Sequence, residues 1–329
     1  MIDLHLHTTA SDGRCSPEDL VARAAAAGLT TIAVTDHDTV AATALVAELC
    51  GARGLRAVSG IKITAIEEGR DVHVLGYFVD RTDVRLLAFL SGQRERRVER
   101  ARTIADVLAS FDMPIDTAEL LRSANARDGR SIGRPQIARA MLEAGYVDSI
   151  RDAFDSWLVP GRPAFVARAG APAEHVIAVI HGAGGIASLA HPGKTAIDAE
   201  IPRLCAAGLD AIEVYHWDHP PADRERYLGM ASDLQLLVTG GSDYHGDPTH
   251  GASLGGVALP REAFERLASR EDSRGLDLVW KARSTEWQQH SSPSPPCRSS
   301  VWPEAWRWRL PRRSPPTSPG TCWWRCSRP

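Results

Sequence analysis

The sequence predicts an α/β protein built on a parallel sheet or barrel. Short apolar segments typical of strands alternate with segments of helical period over residues 2–80 and again over residues 173–245. The composition agrees, because 43% hydrophobic and 24% charged residues are ordinary for a soluble globular enzyme. A chain of 329 residues has room for one large domain or two ordinary ones.

The first elements follow from local signals. "IDLHLH" (residues 2–7) predicts a strand, and Ser16 with Pro17 predicts the N-cap and first position of a helix that Gly28 ends. "TTIAVTDHD" predicts a second strand, and a helix over about residues 40–53 follows it. "RAVSGIKITA" and "DVHVLGYFV" predict two further strands.

The middle of the chain is expected to be helical. A long charged helix over about residues 84–108 and shorter helices up to about residue 157 contain no convincing strand, which indicates a helical insertion at about residues 84–165. After this insertion, strands and helices alternate again. Helices are expected near residues 173–181, 199–207 and 222–232, and strands at "GIASLAH", "DAIEVYH" and "LQLLVTGGSDYH".

The last 46 residues differ from the rest of the chain. Residues 284–329 hold six of the nine tryptophans and nine of the 21 prolines, with no period for helix or strand. The alanine, arginine and glycine content of the preceding residues indicates GC-rich coding DNA, which tends to yield such a composition when read out of frame. We therefore predict a folded domain at 1–283 and a low-complexity tail at 284–329 that is disordered or frameshifted.

Charge and hydropathy limit the classes of partner. The tail carries seven arginines against two glutamates, so the overall charge of −3 leaves residues 1–283 at −8. An acidic domain argues against broad nucleic-acid affinity through charge alone. The sequence shows neither a signal-peptide pattern nor an apolar segment of membrane-span length, so we expect a cytoplasmic protein without a membrane partner. No stable protein partner is predicted.

Candidate metal ligands recur along the predicted strands. His5 and His7 are two residues apart, so both rings point to one face of the first strand. Other histidines and aspartates lie on later strands, mostly at or just past the end: Asp36, His37, His73, His191, Asp243 and His245. The C-terminal ends of strands carry the active site in (β/α) barrels. Imidazole with carboxylate suits zinc, manganese or iron, so the set predicts a metal centre.

The motifs resemble those of the PHP family, the polymerase and histidinol phosphatase superfamily of metal-dependent phosphoesterases. The matching segments are "DLHLHTTASDG", "VTDHDT", "VHVLGYFVD", "LAHPGK" and "GGSDYHGD". The resemblance implies a distorted seven-stranded (β/α) barrel. "SIGRPQIARAMLEAGYV" and "IEVYHWDH" are similar to the branch that dephosphorylates 3′,5′-nucleoside bisphosphates and, in some members, trims short RNA from the 5′ end. That branch has histidine where this chain has Gln136.

The resemblance also implies roles for individual residues. One metal would be held by His5, His7 and Asp243, a second by His73 and His191, and a third by Asp12, His37 and His245. Arg134 would bind a substrate phosphate, and His216 and His219 are weaker candidates for contacts to the ester. Two or three divalent ions are implied (Mn, Zn or Fe, with Mg as a further candidate). A metal-bound hydroxide would attack the phosphorus, so no protein nucleophile is expected.

Lys62 departs from the family pattern. The family reads "GIEITA" in its third strand, with a glutamate that bridges two metals, and this chain reads "GIKITA". An ammonium has three donors and no acceptor, so it cannot ligate a cation. Beside two metals it would either repel them or lose its proton under their field and burial. Glu67 and Glu68 are expected beyond the strand and are poor substitutes. Either the ammonium replaces the charge of one metal and activity survives, or the enzyme is damaged. We favour damage.

The leading hypothesis is thus a metal-dependent phosphoesterase acting on a small nucleotide, impaired by Lys62. A histidinol-phosphatase-like enzyme is the alternative within the family. The alternative from another class is an inactive nucleotide-binding module.

Overall fold

The computed structural model describes residues 1–116, 118, 121, 131–247 and 252–272. Its sheet has seven strands in the order of the sequence. They are β1 (Ile2–Leu6), β2 (Thr31–Val34), β3 (Arg56–Glu67), β4 (Arg70–Tyr77), β5 (Ile186–Leu189), β6 (Ala211–His216) and β7 (Leu237–Gly241).

The sheet curves into a nearly closed barrel. β1, β2 and β3 are parallel, and so are β5, β6 and β7. The segment after β7 returns to β1, where the His7 amide donates to the Tyr244 carbonyl at 3.0 Å and the Tyr244 amide donates to the His5 carbonyl at 3.3 Å. These bonds bring the first and last strands together and confirm the expected α/β barrel class.

One strand runs against the others. β3 and β4 form an antiparallel hairpin, whereas the alternation of strands and helices predicts parallel neighbours. The turn between them has only Glu68 and Gly69, both with positive φ (48° and 77°), as a tight hairpin turn requires. A two-residue turn is too short for the crossover that parallel strands need. β4 therefore reverses direction, and its antiparallel pairing with β5 restores the original one.

The helices surround this sheet. They are α1 (Pro17–Ala26), α2 (Thr43–Gly51), α3 (Val84–Ser110), α4 (Arg134–Glu143), α5 (Ile150–Ala153), α6 (Ala173–Gly182), α7 (Pro192–Thr195), α8 (Ile201–Ala206), α9 (Pro221–Asp233) and α10 (Arg261–Asp272). The start of α1 agrees with the sequence: Ser16 accepts a hydrogen bond from the Asp19 amide, and Gly28 follows the helix with φ 74°. The helix α10 was not anticipated from the sequence.

The helical stretch between β4 and β5 has an apolar cluster of its own. Val98, Ile104 and Leu108 of α3 pack with Ile137 and Met141 of α4 in this cluster. A separate core lies between the sheet and helices that include α6. The described part of residues 84–165 contains helices and no strand, as expected. The predicted domain limits stay a prediction, and the tail at 284–329 lies outside the described residues. No helix in the described part is both long and apolar enough to cross a membrane.

Candidate metal centre

The predicted ligands meet at one end of the barrel. His5 lies on β1 and His7 directly follows that strand. His37, His191 and the pair Asp243 and His245 follow β2, β5 and β7 within a few residues. Because these strands are parallel, the residues after them converge on one rim.

His73 reaches the same rim by a different route. It lies in the first half of β4, where it faces Thr64 of β3 in register. Since β4 runs in the opposite direction, its first half lies beside the last half of β3. The Nδ1 atom of His73 is 3.3 Å from the Nε2 atom of His191.

The ligand atoms form two groups, each with all its atoms within 4.8 Å of one another. The first group contains His7, Asp12, His37 and His245, and the second contains His5, His191 and Asp243. His7 also lies next to the second group, since its Nε2 atom is 3.1 Å from Oδ1 of Asp243. All eight predicted ligands thus come together, and their division among individual ions stays a prediction.

Partner groups orient the rings of the second group. Glu213 of β6 binds Nδ1 of His5 through Oε1 at 2.8 Å and accepts from the His191 amide through Oε2 at 2.8 Å. This leaves Nε2 of His5 directed at Oδ1 of Asp243, 2.9 Å away. Carboxylates that orient metal-binding histidines in this way are common around metal sites. Glu213 is not among the residues predicted from the sequence, although a lone acid in the apolar strand "AIEVYH" is a usable signal.

Most of the donors have the protonation states that metals require. Burial, followed by nearby positive groups, holds the pKa of His7 well below its usual value, and burial does the same for His37 and His191. Burial raises the pKa of Asp243, but the charges of Lys62 and His5 overcome this and hold it well below its usual value. Nδ1 of His37 and Nδ1 of His191 are buried without a hydrogen-bond partner among the described residues. Neutral imidazole and ionised carboxylate are the ligating forms, so the donors His7 and His37 of the first group fit a divalent ion.

The pKa values of two histidines in the cluster, His5 and His245, are raised instead of lowered. Burial lowers the pKa of His5, but Glu213 and Asp243 together outweigh it and the net pKa is raised. Burial also lowers the pKa of His245, but the charge and hydrogen bond of Asp12, together with the charge of Asp243, outweigh it and the net pKa is raised. Each ring faces a carboxylate that favours its proton, so binding of an ion at these rings would release a proton.

Lys62 lies inside the cluster. Its side chain is only 2% exposed, and its Nζ atom is 3.0 Å from Oδ1 of Asp243 and 3.5 Å from Nε2 of His7. The neighbouring acids point elsewhere: Glu67 ends β3 rather than following it and accepts from the Ala173 amide, and Glu68 is exposed in the turn. No carboxylate from β3 or its turn therefore lies at the position that Lys62 takes.

The predicted substrate residues differ in their freedom to bind. Arg134 begins α4, where Nη1 donates to the Leu158 carbonyl at 3.1 Å and Nη2 lies 3.4 Å from Oδ2 of Asp71. His216 borders the cluster, with Nε2 3.6 Å from Oδ2 of Asp243. His219 uses both ring nitrogens within the protein, so its contacts favour a positioning role.

Two further side chains near the rim were not anticipated as site residues. Lys194 lies with Nζ 3.6 Å from Oδ2 of Asp243 and 4.8 Å from the centre of the Trp217 ring. Gln136 donates from Nε2 to the Ser11 carbonyl at 2.6 Å. Gln136 therefore ties α4 to the loop that carries Asp12.

An arginine-rich groove adjoins the cluster. It encloses about 240 Å³ and is lined by Arg96, Arg97, Arg100 and Arg168, with Asp38 and other residues. Nη2 of Arg97 donates to Oγ1 of Thr64, the residue that faces His73 across the β3–β4 pair. Burial and the charge of Arg97 lower the pKa of Arg168 to about 9. The groove carries more positive than negative groups, which favours an anion.

Known proteins are similar to this chain in sequence. A family model described as "PHP domain" matches residues 3–181. The chain is 36% identical over 250 residues to 5′-3′ exoribonuclease Rnm of Escherichia coli (strain K12), a match that covers 74% of this chain and 84% of that protein. It is 32% identical over 259 residues to the 3′,5′-nucleoside bisphosphate phosphatase of Chromobacterium violaceum, with 77% and 90% covered.

A solved structure gives the same result for the fold. A protein described as a metal-dependent phosphoesterase from Bifidobacterium adolescentis superposes with a TM-score of 0.74 at 32% identity. The match covers 82% of this chain and 96% of that one. The chain therefore belongs to the PHP domain family, and its class is that of the metal-dependent phosphoesterases.

Proposed function

We propose that the chain hydrolyses the phosphate monoester of a small nucleotide, converting a 3′,5′-nucleoside bisphosphate to the 5′-nucleotide, with short RNA 5′ ends as a further substrate. The convergence of the histidine and aspartate ligands on one rim of the barrel, beside the arginine-rich groove, carries this proposal. The names of the Escherichia coli and Chromobacterium violaceum relatives support the substrate class.

The residues of the chain have separate tasks in this reaction. Divalent ions, when bound, supply the charge that makes water a nucleophile at neutral pH and stabilises the phosphate oxygens. His7, Asp12, His37 and His245 would hold such an ion (Mn, Zn or Fe, with Mg as a further candidate). The donor set does not select among them.

The positive groups on the rim would bind the ester. Lys194 lies beside Asp243 of the cluster, Arg134 pairs with Asp71 two residues before His73 on β4, and the groove offers Arg168 as a further donor to phosphate oxygens. Guanidinium groups suit phosphate because their donors form a planar fork. His216 would contact the ester from the side of Asp243.

Phosphate release tests the proposal. The full chain should release phosphate from adenosine 3′,5′-bisphosphate in the presence of a divalent ion and lose this activity in EDTA. Faster turnover of histidinol phosphate would favour the alternative enzyme of the family. Tight nucleotide binding without turnover of either substrate would favour an inactive binding module.

Lys62 is proposed to lower this activity. Its ammonium contacts Asp243, and the sequence resemblance implies a bridging glutamate at this position in the family. We expect Lys62→Glu to release phosphate from the bisphosphate faster than the unchanged chain. Equal rates in both proteins would show that a carboxylate at this position is dispensable. The predicted cytoplasmic location and the absence of a stable protein partner stay predictions.

A further inference from the structure

The ammonium of Lys62 competes with metal ions for one carboxylate oxygen. Its Nζ atom lies beside Oδ1 of Asp243, and that same oxygen is 2.9 Å from Nε2 of His5 and 3.1 Å from Nε2 of His7. The acceptor that would join a metal to these rings is therefore already bound to an ammonium.

The ammonium of Lys62 contacts both ligand groups. Its Nζ atom is 3.0 Å from Oδ1 of Asp243 in the second group and 3.5 Å from Nε2 of His7 in the first. A monovalent cation thus stands among donors of the kind that hold divalent ions.

The backbone fixes the ammonium in this place. The Lys62 amide donates to the Asp36 carbonyl at 3.2 Å, and the Lys62 carbonyl accepts from the Asp38 amide at 2.8 Å. These two bonds lock β3 to the loop that carries His37. The side chain is buried, so the ammonium lies away from solvent.

The two ligand groups therefore differ in their fit to a metal. In the first group, Asp12 lies 3.4 Å from Nε2 of His245 and 3.8 Å from Nε2 of His37, and no cationic side chain is bonded to its carboxylate among the described contacts apart from histidines. In the second group, Asp243 already pairs with Lys62. A divalent ion there would be repelled at short range by the ammonium, and its carboxylate ligand is partly neutralised.

We propose that Lys62 serves as a built-in cation that replaces a divalent ion at the group His5, His191 and Asp243, so that the chain binds ions only through the group His7, Asp12, His37 and His245. This inference rests on the proposed function only in assuming a metal centre. It predicts a lower ion capacity, whatever the turnover of the enzyme.

Titration of Mn²⁺ into the metal-free full chain, followed by calorimetry and by the electron paramagnetic resonance of free Mn²⁺, tests this proposal. Lys62→Glu should bind one equivalent more than the unchanged chain. Lys62→Met, which removes the ammonium without adding a ligand, should bind the additional ion more weakly than Lys62→Glu. Arg53→Glu makes the same change of charge at an exposed position outside the cluster and should leave the ion count unchanged.

Ligand deletions locate the ions. His191→Ala should leave Mn²⁺ binding unchanged in the chain with Lys62 but should abolish the additional equivalent in Lys62→Glu. His37→Ala should weaken binding by roughly 100-fold or more in both backgrounds, because it removes a ligand of the retained group. Both deletions are also measured in the chain that keeps Lys62. The difference between His191→Ala and His37→Ala in that chain tests the proposal even if Lys62→Glu does not fold.

Three results would overturn the proposal. The first is an equal ion count in the unchanged chain and in folded Lys62→Glu. The second is a loss of binding in His191→Ala with Lys62 present, and the third is the absence of any bound ion in the unchanged chain. The titration counts ions and not turnover. An inactive chain with the expected ion count would therefore contradict only the proposed function.

Discussion

The buried pair of Arg97 and Asp38 offers the clearest test of how the fold supports the site. Nε of Arg97 donates to Oδ2 of Asp38 at 2.6 Å, and its other nitrogens donate to the Ile132 carbonyl at 3.0 Å and to Oγ1 of Thr64 at 3.2 Å. Asp38 also accepts from the Thr64 amide at 3.1 Å. One guanidinium therefore connects α3, β3 and the loop that carries His37.

Arg97→Met should destabilise the protein strongly. It leaves the Asp38 carboxylate, which is 1% exposed, buried without its cation. Breaking a buried pair by removing one partner costs about 3–5 kcal/mol. Since each kcal/mol shifts Tm by about 2–4 °C in a domain of this size, we expect a fall of about 6–20 °C. Arg97→Lys should restore little of the lost stability, because an ammonium cannot reproduce the geometry of the three hydrogen bonds that the guanidinium donates.

Thermal unfolding followed by circular dichroism measures this effect. Arg102→Met, at an exposed position of α3, is the matched control and should change Tm by less than about 2 °C. Asp38→Asn in the Arg97→Met background should recover part of the loss, because the unpaired charge is gone. A fall of less than about 2 °C in Arg97→Met would refute the reasoning that the pair holds these elements together.

Three other predictions concern the rim. Arg168→Gln should weaken the binding of adenosine 3′,5′-bisphosphate about tenfold and reduce its salt dependence, measured by calorimetry at several ionic strengths; unchanged affinity would exclude the groove from binding. Gly241→Ala should destabilise the fold by about 1–3 kcal/mol in urea unfolding, because its Cβ would collide with the His5 backbone; wild-type stability would show that β1 and β7 can separate freely. Glu213→Gln should lower Tm, since it replaces a buried charge-assisted hydrogen bond to Nδ1 of His5 with a neutral one; an unchanged Tm would contradict this.

Local signals in the sequence predicted the parts of the fold that depend on near neighbours. The Ser16 cap, the Gly28 stop and the alternation of strands and helices depend on interactions within a few residues, and the structure confirms them. The hairpin was missed because the residues flanking Glu68 and Gly69 have apolar patterns that suit either strand direction. A two-residue turn excludes the parallel arrangement only once both strand ends are known.

The sequence by itself determined the residue types of the metal centre, because imidazole and carboxylate groups can bind metals whatever the arrangement of the strands. It also exposed Lys62 as a residue that cannot ligate a cation. Only the tertiary structure decided that Glu213 orients His5 and that Arg168 lines a groove beside the rim. It alone set the ammonium of Lys62 against Asp243, which lies 181 residues away along the chain. Such contacts depend on the closure of the barrel, and no local pattern encodes the distances that closure creates.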